Sequence, residues 1–263
     1  LPMGVYDIIV FNRSFNDFSN IAFRGNSYET LEAYARKVET RVDKKTRVET
    51  RTIISSPDEL AAATLKGFTV TEDMLGNYSQ TTYGRTAPSR SSEETPDGLY
   101  HLHFVPKKLT REVSAVLHIE GLNNIRSATC RLGGVAESIF LATGKTSANT
   151  VTQEFTPSNP EFSPGSPFNG TLSCEFEIFG LNVIDNNNLH LDALLVDGKT
   201  EFEGDCTNVK ITENDDGTGS VTLILEASTE KVPDVKPEGG AGSGFDVDVD
   251  GWGNEINTDI PIN

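Results

Sequence analysis

The stretch that most constrains what this chain can fold into is Glu112 to Gly144, EVSAVLHIEGLNNIRSATCRLGGVAESIFLATG. Val113, Ala115, Leu117 and Ile119 fall on one face, and Ser114, His118 and Glu120 on the other; only Val116 breaks the alternation. Side chains alternate across a strand, so period two over this length predicts a half-buried β-strand. Gly121 and Asn123-Asn124 predict a turn, since Gly and Asn tolerate the backbone angles of a reversal. Two more apolar runs follow, Ile125 to Leu132 ending at Gly133-Gly134, and Val135 to Ala142 ending at Gly144. The expectation is the start of an antiparallel sheet.

The later sequence repeats this grammar. Leu172, Cys174, Phe176 and Ile178 alternate with Ser173, Glu175 and Glu177. Leu189 to Val196 and Val221 to Ala227 alternate likewise. Between them lie turn signals at Asp185 to Asn188, Asp197-Gly198 and Asn214 to Gly217. Pro157 to Pro167 reads as a proline-rich loop and Val232 to Gly244 as a flexible connection. A terminal hairpin is expected, with Phe245, Val247 and Val249 on one face, a turn at Asp250 to Gly253, and a return through Ile256 to Ile262.

The first half is less regular. Val5 to Phe11 is apolar on both faces, as a central strand would be. Ser27 to Arg41 allows a capped helix, and Pro57-Asp58-Glu59 followed by Leu60 to Leu65 predicts a short helix ended by Gly67. Thr52 to Ile54, Phe68 to Thr71 and Leu99 to Val105 read as strands, and Leu75 to Asp97 as a long surface loop. Short strands with such turns predict an all-β chain of two β-sandwich domains, with one or two short helices. The boundary is placed near Pro106 to Thr110, giving residues 1–108 and 109–263.

The 263 residues carry 22 basic and 39 acidic side chains, a net charge of −17. That sign disfavours nucleic acid and anionic membrane surfaces as partners. Among the candidate chemistries, Asp246, Asp248, Asp250 and Gly251 match the first half of a calcium loop. Asn257 stands where that loop needs its bidentate glutamate, and the three aspartates are accounted for as the solvent face of a strand. Gly144-Lys145-Thr146 resembles the tail of a phosphate-binding loop, but Ile139 stands where its first glycine belongs. His101 and His103 project from one strand face without an evident third ligand, and Glu175 and Glu177 read as a solvated face. No GxSxG or HExxH occurs. Cys130, Cys174 and Cys206 read as buried free thiols. Asn12, Asn77 and Asn169 open formal glycosylation sequons. No catalytic, cofactor or metal residue is assigned; the one candidate contact residue is Trp252, the only tryptophan, at the tip of the terminal hairpin.

YDIIVFN (Tyr6 to Asn12), SPDELAAAT (Ser56 to Thr64), LTREVSAVLHIEGLNNIRSATCRLGGVAESIFLATG (Leu109 to Gly144), GTLSCEFEIFG (Gly170 to Gly180), LHLDALLVDGK (Leu189 to Lys199) and GFDVDVDGWGNEINTDIPI (Gly244 to Ile262) succeed one another along the chain. In that order and spacing they resemble the fimbrillin-like cell-surface lipoproteins of gut Bacteroidetes, related to fimbrial anchor and tip proteins. The resemblance implies two transthyretin-like β-sandwiches and a non-enzymatic role in fimbria assembly, anchoring or adhesion. It implies partners among other fimbrial subunits through strand exchange, and surface ligands of host or bacterium. It also implies an outer-membrane location through a lipidated cysteine upstream. The chain opens at Leu1-Pro2 rather than at Met, from which an upstream segment is expected. It closes just after Ile260 to Ile262, without a visible donor segment, and this favours a terminal place in a fibre over a shaft place. The alternative reading is a glycan-binding module outside any fibre, with Trp252 stacking on sugar.

Overall fold

The computed structural model describes residues 1–42, 50–75, 92–94, 100–182, 187–215 and 221–237. Nineteen strands follow one another among them. They are β1 Gly4–Phe11, β2 Ile21–Arg24, β3 Glu32–Ala35, β4 Lys37–Val42, β5 Thr50–Ile54, β6 Ala61–Val70, β7 Ser92–Glu94, β8 Tyr100–Leu102, β9 Lys107–Lys108 and β10 Arg111–Glu120. Then come β11 Ile125–Ala136, β12 Ser138–Phe140, β13 Thr150–Phe155, β14 Asn159–Phe162, β15 Asn169–Ile178, β16 Leu189–Leu195, β17 Glu201–Asp205, β18 Thr207–Asp215 and β19 Val221–Ser228. The fold is all-β, and helix among the described residues is confined to three single 3-10 turns.

A five-stranded sheet, β14-β15-β10-β19-β18, packs on a six-stranded sheet, β17-β16-β11-β13-β5-β4. The alternation read from the sequence supplies the interface. Val113, Ala115 and Leu117 of β10 lie opposite Phe176, Cys174 and Leu172 of β15 in the same sheet. Their inward side chains join Ala128, Cys130 and Leu132 of β11 and Leu189, Leu191, Ala193 and Leu195 of β16 in one core. Phe155 of β13 stacks on Phe176 of β15 across the gap, with ring centroids 4.3 Å apart. Gln153, fully buried beside it, donates from Nε2 to the Glu177 carbonyl at 3.2 Å.

β10 and β11 do not pair, against the expectation that they open one antiparallel sheet. β10 runs antiparallel to β15 and parallel to β19, while β11 pairs with β13 and β16. The turn between them explains this: Gly121 and the 3-10 turn Leu122–Asn124 carry the chain from one sheet to the other. The break expected at Gly133-Gly134 is a shift of register within β11. The proline-rich loop contains an edge strand, β14, whose Pro160 needs no ladder donor at a sheet margin. Val232, expected in a flexible connection, is fully buried and donates its N–H to the Glu120 carbonyl at 2.9 Å.

Both expected helices are strands. The segment 57–65 leads into β6, which pairs with β1 along Gly4–Phe11. Helix propensity in Leu60 to Leu65 is a weak preference, and pairing with the apolar strand VYDIIVF overrides it. At Ser27 the capping residues do act, but for one turn only: Leu31 N–H donates to the Ser27 carbonyl at 2.9 Å, and the Ser27 and Thr30 hydroxyls meet at 2.8 Å. Ala33 and Ala35 then alternate inward in β3, a period of two hidden by small residues.

Hydrogen bonding crosses the 106–110 stretch. β5 pairs in parallel with β13, and β3 pairs with β12 in the three-stranded sheet β12-β3-β2. At that junction the Glu32 carboxylate accepts from Arg24 Nε at 2.5 Å and from the Ser138 hydroxyl at 2.6 Å. Burial alone would raise its pKa, but Arg24 and Ser138 outweigh that and hold it below the usual carboxylate range. A group depressed in the folded state stabilises above its unfolded pKa, and that stabilisation is lost as pH falls through the folded value. The Glu32→Gln variant is therefore expected to be less stable than the parent at neutral pH, with the difference shrinking below about pH 4. Urea unfolding at several pH values measures this; a pH-independent difference would exclude the carboxylate as its source.

Candidate functional site

Trp252 and the Asp246, Asp248, Asp250 hairpin lie outside the described residues, as do the Asn77 sequon and most of the expected surface loop. The remaining candidates take structural places. His101 and His103 are both exposed, and neither belongs to a metal-competent cluster among the described residues. Gly144 and Lys145 close a tight turn: Gly144 N–H donates to the Phe140 carbonyl at 2.7 Å, and Phe140 N–H to the Lys145 carbonyl at 2.9 Å. Asn12 binds the backbone of Glu59 and Ala61, and Asn169 Oδ1 accepts from Gly121 N–H. Glu175 is exposed, whereas Glu177 is half-buried and takes Lys108 at 2.7 Å.

Cys130, Cys174 and Cys206 are free thiols on the core side of the sandwich, Cys130 fully buried and the others partly so. Burial pushes all three thiols up, Cys174 and Cys206 to about 11. The thiolate is the reactive form, so none of the three is set up as a nucleophile.

A shallow cleft of about 270 Å³ opens where β9, β10 and the end of β15 meet the 144–146 turn, lined by Lys108, Thr110, Arg111, Thr146 and Phe179 among others. Its two cations are already engaged, Lys108 by Glu177 and Arg111 by Glu213 at 2.9 Å. A bound anion would have to displace a carboxylate from each.

The remaining feature is at the chain's first strand. β1 pairs with β6 on one side, and among the described residues its other edge has no partner. Ile9 and Phe11, at its far end, pack against the core. At its start Val5 is 71% exposed, and Leu1 and Met3, just before the strand, are 73% and 59% exposed. An exposed apolar edge is a template for a further strand, and sheets ordinarily blunt their edges with charge, proline or bulges. The edge strands β17 and β18 do so, with Glu201, Glu203 and Asp205 in one and Lys210, Glu213 and Asp215 in the other, whereas β1 carries the single acid Asp7 and an irregular register between Tyr6 and Ile8. Val5 to Phe11, apolar on both faces, is expected from the sequence to be a central strand. The register places it at a margin instead.

Two crystal structures of candidate adhesins from Bacteroides ovatus align with this chain. The first, from strain ATCC 8483, aligns at a TM-score of 0.48 and 16% identity, covering 78% of this chain and 66% of that one. The second aligns at a TM-score of 0.32 and 9% identity, covering 78% of this chain and 56% of that one. This chain thus spans less than two thirds of the length of either. No curated protein matches it. The family model described as "Domain of unknown function (DUF5119)" matches residues 1–156, more than half of the chain, and the chain belongs to that family.

Proposed function

We propose that this chain is a non-enzymatic cell-surface protein that takes part in fimbria assembly, anchoring or adhesion by exchanging strands with other subunits. The observation that carries the reading is β1: an edge strand whose outer side is open among the described residues, with Val5 exposed on it and Leu1 and Met3 exposed just before it. Strand addition uses main-chain hydrogen bonds for affinity and alternate side chains for specificity, and β1 offers both. The all-β architecture and the sequence-wide resemblance to fimbrillin-like lipoproteins support the same reading. An upstream lipid would then hold the protein on the outer face of the outer membrane.

The test replaces Met3 and Val5 together by Lys in the cell that makes the protein. Charges on an edge strand, at Val5, and on the segment that leads into it, at Met3, oppose pairing, so the variant is expected to fold yet to enter purified fibres at least about tenfold less than the parent. Immunogold labelling of fibres reads this, with protease shaving of whole cells to show surface exposure. Equal labelling of variant and parent would remove β1 from the mechanism. A parent absent from fibres but shaved from cells would favour a surface binding protein outside any fibre.

A further inference from the structure

The outer face of the six-stranded sheet carries a polar array that the sequence reading passed over. One cross-strand row runs Glu154, Arg131, His190, Asp205 through β13, β11, β16 and β17. In the next row Asp192 stands opposite Glu203. His190 and Asp192 share the outward face of β16 because they are two apart, with Leu189 and Leu191 turned into the core. Glu203 and Asp205 do the same on β17, while Phe202 packs inward.

We infer that His190, Asp192 and Glu203 form a binding site for a divalent transition-metal ion of the Zn2+ type. One ligand atom from each lies within 4.8 Å of the other two. Ligands about 2.0–2.1 Å from a tetrahedral zinc sit about 3.3 Å from one another, so a small side-chain adjustment closes the set. His190 Nδ1 lies 2.9 Å from Asp205 Oδ1, and His190 Nε2 lies 3.1 Å from Asp192 Oδ1. A neutral imidazole has one N–H. With that hydrogen given to Asp205, the Nε2 lone pair and a carboxylate oxygen face each other, an arrangement a cation completes. A carboxylate behind the far nitrogen of a ligating histidine is the usual support of a metal site, fixing tautomer and ring orientation. Arg131 gives Asp192 a comparable support, binding its other oxygen while also donating to Glu154 at 3.1 Å. Four carboxylates against one guanidinium leave the array negative. The mixed imidazole and carboxylate donors favour Zn2+ over Mg2+ or Ca2+, which prefer oxygen alone. Glu203 is exposed, so water can reach an ion held there.

The test is titration calorimetry of the tag-free full chain with Zn2+ alone, followed by the visible spectrum with Co2+. One Zn2+ per chain is expected, with His190→Ala and Glu203→Gln each weakening it by at least about tenfold and Asp205→Asn by about tenfold. Glu161→Gln, on a different sheet, should change nothing. Circular dichroism checks the fold of each variant. The parent protein gives a second readout that needs no variant: of its four histidines, only His190 should show ring resonances that move with Zn2+. Unaltered affinity in folded His190→Ala, movement of another histidine instead, equal affinity for Mg2+, or thiolate-to-cobalt charge-transfer bands would each overturn the site.

Discussion

Leu117→Ala is expected to destabilise this protein by about 3 kcal/mol, within the range of roughly 2–5 kcal/mol for emptying a leucine site in a core that cannot collapse. Leu117 is 0% exposed on β10, the middle strand of the five-stranded sheet, flanked by Leu172 of β15 and Ala227 of β19. Pairing on both sides fixes its backbone, and the facing sheet closes the space above it. For a chain of this size the melting temperature should fall by about 6–12 °C. The neighbouring residue provides the contrast. His118 points to solvent from the same strand, and His118→Ala should lie within about 0.5 kcal/mol of the parent. Urea unfolding of both variants checks the pair; similar losses would mean that β10 does not separate core from solvent as described.

Gly121→Ala is expected to cost about 2–3 kcal/mol, from two causes. Its φ of +88° lies in the left-handed region, which costs an L-residue about 1–2 kcal/mol. A Cβ there would also stand 2.7 Å from the Val232 carbonyl oxygen and 3.2 Å from Val232 Cβ. Val232 is fully buried, so backbone rather than a flexible side-chain tip would have to move. Gly67 separates the two causes: its φ is +71°, but a Cβ would meet nothing within 4 Å. Gly67→Ala should therefore show the conformational cost alone, and the excess at Gly121 measures the docking of the 229–232 segment. Equal losses would mean that this segment yields freely.

The difference between these two glycines marks where reading from the sequence stops. Alternation in β10, β15, β16 and β19 is legible because each strand buries one face, and Asp197-Gly198 is legible because its side-chain oxygen takes the N–H groups of Lys199 and Thr200. Which strands become neighbours is not legible. β10 and β11 adjoin in sequence yet lie in opposite sheets, because the turn after Gly121 crosses the sandwich instead of closing a hairpin. Ser27 and Pro57 announce helices by local chemistry, and partners distant in the chain decide otherwise. The His190 array needed the register of β16 with β17. Taken alone, Glu201, Glu203 and Asp205 look like any solvated strand face, and His190-x-Asp192 acquires meaning only beside them.

The central claim is that β1 adds to, or accepts, a strand of another subunit. A photo-crosslinking amino acid at position 5, illuminated in intact cells, tests it most directly. The account predicts a covalent adduct with another fimbrial subunit, mapping to a β-strand of that partner, and its loss when Met3 is also replaced by Lys. Crosslinks confined to the protein's own β6, in cells that carry assembled fibres, would contradict it.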